Sequence, residues 1–71
     1  MIIKKAQSKG GKYCIELAEE GNLFDITERR NGFPCGGSYN IRTRQDAVDR
    51  FYDLIEAYKT DGIKLYVIEP T

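Results

Sequence analysis

The chain has no histidine. That absence removes the commonest general base near neutral pH, any Cys-His or Ser-His couple, and the usual zinc-site compositions. Cysteine is scarce as well: Cys14 and Cys35 stand far outside CxxC spacing, so they form neither a metal knuckle nor a thioredoxin-like redox pair. They are read as free thiols, with a single Cys14–Cys35 bridge as the alternative. Net charge is also missing, because 11 Lys and Arg balance 11 Asp and Glu. No overall field therefore draws the protein to nucleic acid or an anionic membrane. Long apolar runs are absent too, and the segment Met1-Ile2-Ile3-Lys4-Lys5 is too short for a signal peptide or a membrane span. The expectation is a soluble, cytoplasmic protein with no membrane partner. Gly32, Gly36 and Gly37 match neither GxGxxG nor the phosphate-loop pattern, and no internal repeat, low-complexity segment or linker interrupts the chain. An enzyme is not expected, nor is a metal or a cofactor.

What is present is one helix with a clear start and stop. Ala47, Val48, Phe51, Leu54, Ile55 and Tyr58 recur on one face of a 3.6-residue period. Thr43 with Asp46 three residues later reads as a capping box, and Asp61-Gly62 after Lys59 reads as the end. Asp46, Asp49, Asp53 and Glu56 fall together on the opposite side as an acidic ridge. With 71 residues the chain makes one compact domain, residues 1–71, that buries only about 60% of its extended-chain surface. Such a helix needs a sheet to lie on.

The rest of the chain supplies it. Residues 13–18 alternate with Tyr13, Ile15 and Leu17 on one side, and residues 23–30 alternate with Phe24 and Ile26 inward and Asp25, Thr27 and Arg29 outward. Residues 31–37 read as a loop, since Pro34 lacks a donor and the glycines relax the backbone. Residues 38–42 read as a third strand with Tyr39 and Ile41 facing the core. Residues 63–68 alternate again and stop at Pro70. Residues 1–6 form either a further strand or a frayed basic arm. The fold class is α+β: three to five mainly antiparallel strands in the order β-β-β-α-β, with one extra at the front if the first residues pair, and one helix across one face.

Three binding readings follow. The leading one is a non-catalytic protein-interaction module, of the kind phages and mobile elements use as small inhibitors or adaptors. Its candidate contacts are Phe33, Tyr52, the acidic residues Asp46, Asp49, Asp53 and Glu56, and an edge formed by Tyr66 and Ile68, which point away from the helix side. A short edge strand with apolar outer groups can pair with a partner's strand or a second copy, giving a homodimer. The second reading is nucleic-acid binding. Charge is segregated along the chain: residues 1–12 hold four Lys and no acid, residues 13–28 five acids and no base, and residues 29–42 three Arg and no acid. Arg29, Arg30 and Arg42 with Tyr39 are the candidates for a sheet face that enters a groove. The third is an anion or nucleotide sensor in which Gly36 and Gly37 form a nest beside those arginines.

The run Tyr13-x-Ile-x-Leu, then Arg30-Asn31-Gly32, then Ala47 with Phe51 and Gly62 after the helix, resembles the WGR nucleic-acid-binding domain of polymerases that make poly-ADP-ribose. Glu28-Arg29 stands where that signature has Trp-Gly. Three strands followed by a helix also resemble plant AP2-type DNA-binding domains and the HicB antitoxin half-fold. These resemblances imply a sheet-based nucleic-acid contact.

Overall fold

Four alternating segments pair in succession before the chain turns helical. A computed structural model describes residues 1–68. In it β1 (Ile2–Ser8), β2 (Tyr13–Glu20), β3 (Leu23–Arg30) and β4 (Phe33–Ile41) precede α1 (Arg44–Thr60) and β5 (Leu65–Ile68). The sheet order is β4-β3-β2-β1-β5, and every pairing is antiparallel. The first residues are thus a strand inside the sheet, not a frayed arm. The strand end assigned to Pro70 lies outside the described residues.

The helix carries the chain from one edge of the sheet to the other. Its 17 residues span about 25 Å at 1.5 Å each, enough to cross five strands whose outermost members lie about 19 Å apart. Its ends are those expected. Thr43 Oγ1 accepts the Asp46 N–H at 3.1 Å. At the other end Ile63 N–H donates to the Tyr58 carbonyl and Gly62 N–H to that of Lys59, the paired bonds of a Schellman stop. Between them α1 buries Ala47 and Phe51 against Ala6, Ile15, Leu17, Phe24, Ile26 and Leu65, with Val48, Leu54, Ile55 and Tyr58 packed around that centre. Alternation does the rest. Residues opposite these core positions, including Lys5, Gln7, Glu16, Thr27, Arg29, Tyr66 and Ile68, share the face that no helix covers.

Two expectations are corrected. Residues 31–37 are not a loop. Asn31 (φ 54°) and Gly32 (φ 84°) form a two-residue turn that pairs Arg30 with Phe33, and β4 begins immediately afterwards. Both central residues need positive φ in such a turn, which Asn-Gly adopts readily, so the dipeptide closes a hairpin instead of opening a loop. Pro34 is tolerated because β4 is an edge strand, where the missing donor costs no ladder bond. Tyr39, in turn, does not face the core. The pairs Ile26 with Ser38 and Phe24 with Ile41 leave an extra residue in β4, and Asn40 takes it up at φ 60°, donating its N–H to Asp25 Oδ1. This bulge keeps Ile41 inward and turns Tyr39 to the outer face, 58% exposed.

Gly37 is the glycine that β4 cannot exchange. A Cβ there would meet the Ile26 carbonyl oxygen, the Tyr39 hydroxyl at 2.7 Å and its ring at 2.8 Å. Backbone cannot rotate out of the way. Gly37→Ala is expected to destabilise the fold by about 1–3 kcal/mol, read as a lower urea midpoint at unchanged slope.

Candidate interaction edge

The two edges of the sheet differ in chemistry. β4 carries Pro34 and two bulges, one between Phe24 and Ile26 and one between Glu28 and Arg29, each of which breaks the regular row of donors and acceptors. β5 carries neither proline, glycine nor charge. Its four residues pair with β1 from Leu65 opposite Ser8 to Ile68 opposite Lys5, which leaves the other side as an open edge among the described residues. Leu65 is buried, but Tyr66 (49%), Val67 (39%) and Ile68 (43%) are exposed. Tyr66 and Ile68 point to the outer face as expected, and Ile2 joins them there opposite Ala18. Tyr66 and Ile68 thus present apolar groups on the outer face of a strand that carries no proline, bulge or charge of its own.

The acidic ridge lies elsewhere. Asp46, Asp49 and Asp53 border an open groove of about 540 Å³ between α1 and β4, where Ser38, Tyr39, Asn40, Arg42 and Arg50 supply the remaining polar lining. Arg50 reaches Ser38 Oγ at 3.2 Å, and Gln45 donates to Asp49 Oδ1 at 2.8 Å. Glu56 is exposed on the same helix but is not part of that lining. Tyr52 is half-exposed, with Lys4 Nζ 5.7 Å from its ring centre and Phe51 edge-on to it. Phe33, 75% exposed, is the residue just after the Asn31-Gly32 turn and stands apart from both β5 and the groove.

The three arginines do not come together, which corrects the expectation of one basic sheet face. Arg29 lies on the outer face and is held by Glu16 Oε1 at 2.8 Å. That bond raises its already high pKa. Arg30 is next along the strand and so turns to the other side, with its guanidinium 5.7 Å from the Tyr13 ring centre. Arg42 follows β4 and sits beside Asp46, Asp49 and Asp53. Gly36 and Gly37 are strand residues paired with Glu28 and Thr27, without positive φ, so they form no loop nest. Gly36 faces the Glu28 carboxylate.

Cys14 and Cys35 are free. Burial raises the Cys14 thiol pKa, helped by nearby Glu16. Cys35 instead lines a hollow on the helix side with Tyr13, Glu28, Arg30 and Tyr58. Among the described residues no group of three or more His, Cys, Asp or Glu could hold a metal ion, and no helix is long and apolar enough to cross a membrane.

A basic hollow beside β5 escaped the sequence reading. Lys9 and Lys12 of the β1–β2 turn meet Lys64, which precedes β5, around Ser8, Tyr13, Gly62, Ile63 and Tyr66. The first two were legible as part of an N-terminal lysine cluster. Their junction with Lys64, more than 50 residues later, depends on β5 pairing with β1.

In the hollow on the helix side, Tyr58 Oη donates to Glu28 Oε1 at 2.8 Å and its ring meets Tyr13 edge-on. Burial, then this hydrogen bond, raises the Tyr58 pKa. The folded chain therefore holds that proton more tightly than the unfolded one. The stability this adds is complete below the ordinary tyrosine value of about 10 and is lost as pH rises beyond it. Tyr58→Phe is expected to lower stability at pH 7 by about 1–2 kcal/mol and to reduce the fall in stability above about pH 10, measured by urea unfolding across that range.

No protein-family model, curated protein or solved structure matches this chain.

Proposed function

We propose that this chain is a non-catalytic protein-interaction module that accepts an extended strand of a partner along β5. One observation carries the reading: β5 is an uncharged, proline-free edge strand with Tyr66, Val67 and Ile68 exposed, while the opposite edge is broken by Pro34 and two bulges. Proteins guard exposed edges because unpaired N–H and C=O groups recruit other strands. The contrast between the two edges supports use of β5 as a template for a partner's strand. Strand addition would supply main-chain hydrogen bonds along β5, and the side chains of Tyr66 and Ile68 would select what lies on the outer face. In this role the chain acts as an adaptor or an inhibitor, of the kind carried by phages and mobile elements. Two free thiols on opposite faces of the sheet favour a reducing compartment such as the cytoplasm.

The test compares capture by three immobilised proteins: wild type, the double variant Tyr66→Lys with Ile68→Lys, and the double variant Asp49→Lys with Asp53→Lys. All four substitutions are at exposed positions, and circular dichroism checks that each variant keeps its fold. The β5 variant is expected to retain a wild-type partner at least about tenfold less well, while the helix variant retains it unchanged. Loss on the helix variant with full retention on the β5 variant would move the interaction to the acidic groove and refute the reading.

A further inference from the structure

The hollow at the start of β5 collects positive charge that no ion pair among the described residues neutralises. Lys9, Lys12 and Lys64 line a space of about 330 Å³ with no acidic residue in its wall. No described carboxylate forms an ion pair with any of the three. The arrangement is held by backbone: Gly11 N–H donates to the Ser8 carbonyl, Tyr13 N–H to Ser8 Oγ, and Asn31 N–H to the Lys12 carbonyl. Lys9 and Lys12, neighbours in one turn, and Lys64, more than 50 residues later, thus border one hollow at a corner of the sheet. Tyr66 belongs both to this hollow and to the exposed edge of β5, so the two form one continuous surface.

We infer that the strand taken up by β5 carries carboxylates at the end that lies over Lys9, Lys12 and Lys64. The inference rests on the strand-addition reading and names the chemistry of the partner: an extended peptide, apolar where it passes Tyr66 and Ile68, acidic at one end. Charge complementarity selects the acidic end. Two features favour a peptide over a nucleic acid. The hollow opens onto a strand edge, whose alternating donors and acceptors match another peptide backbone and not a sugar-phosphate chain. The aromatic faces on which bases would stack are already occupied, with Lys12 Nζ 5.5 Å from the Tyr13 ring centre and Lys64 Nζ 5.3 Å from that of Tyr66. Each lysine still has donors free for a carboxylate oxygen.

The experiment is an amide chemical-shift titration of the ¹⁵N-labelled chain with three probes. The first is the peptide Glu-Glu-Thr-Val-Thr-Val-Thr-Glu-Glu, acidic at both ends so that either strand direction is served; the second has Gln for every Glu; the third is an oligothymidylate. The acidic peptide is expected to shift the amides of Lys9, Lys12, Tyr66, Val67 and Ile68, and to bind about fivefold more tightly than the Gln peptide, the scale of a few exposed ion pairs. That advantage should vanish in the Lys12→Gln, Lys64→Gln double variant and in about 0.5 M salt, where charges more than a few ångströms apart are screened. Equal binding of both peptides along β5 overturns the acidic preference and leaves strand addition standing. No shift along β5 with either peptide overturns both. Shifts of the hollow by the oligothymidylate and not by the acidic peptide assign it to nucleic acid and overturn the inference.

Discussion

Everything in this molecule hangs on one apolar contact: Ala47 and Phe51 of α1 laid against Ile15, Leu17 and Ile26 of the central strands. A five-stranded sheet with a single helix has only one side on which to build a core. Ala47 permits the close approach, because a larger side chain at that fully buried position would lift the helix from the sheet. Phe51, the largest fully buried side chain, fills the space one turn later. Because the core is one-sided, the outer face remains open to solvent.

That contact also decides where the last strand goes. The helix leaves β4 at one edge and returns the chain to β1 at the other, so β5 joins the sheet next to the first strand instead of the fourth. Residues distant in sequence meet there. Lys64 arrives beside Lys9 and Lys12, and Tyr66 beside Gln7. The neutral total charge hides this, because the acids gather at other places: Asp46, Asp49 and Asp53 along the α1–β4 groove, and Glu20 beside the N-terminal amine. A molecule with no net field keeps local ones.

The two edges tell of different constraints. β4 is twisted by its bulges and interrupted by Pro34, and its glycines leave room for Tyr39 to lie over Gly37. These features make it a poor template for another strand. β5 has none of them and exposes three of its four side chains. Arginine, which a sheet-based nucleic-acid reader would concentrate, is instead spread over three surfaces, one of them already satisfied by Glu16.

The helix, its Thr43 cap, its Gly62 stop and the inward residues of β2 and β3 were all legible in the sequence, because each depends on local periodicity and on bonds between near neighbours. The Asn31-Gly32 hairpin was legible in principle, yet Pro34 and the glycines after it suggested a loop; only an edge position makes those residues acceptable in a strand. Tyr39 shows a different limit. Strict alternation predicts its side, and a single inserted residue at Asn40, held by the Asp25 carboxylate across the strand pair, reverses it. The separation of Arg29 from Arg30 follows from alternation alone, whereas the separation of Arg42 follows from where β4 ends. The succession of the first four strands follows from their short connections, as an antiparallel meander, but the place of β5 was beyond the sequence. Pattern says which side of a strand is buried but not which strand lies beside it, so the open edge at β5 and its lysine hollow were decided only when the helix crossed the sheet.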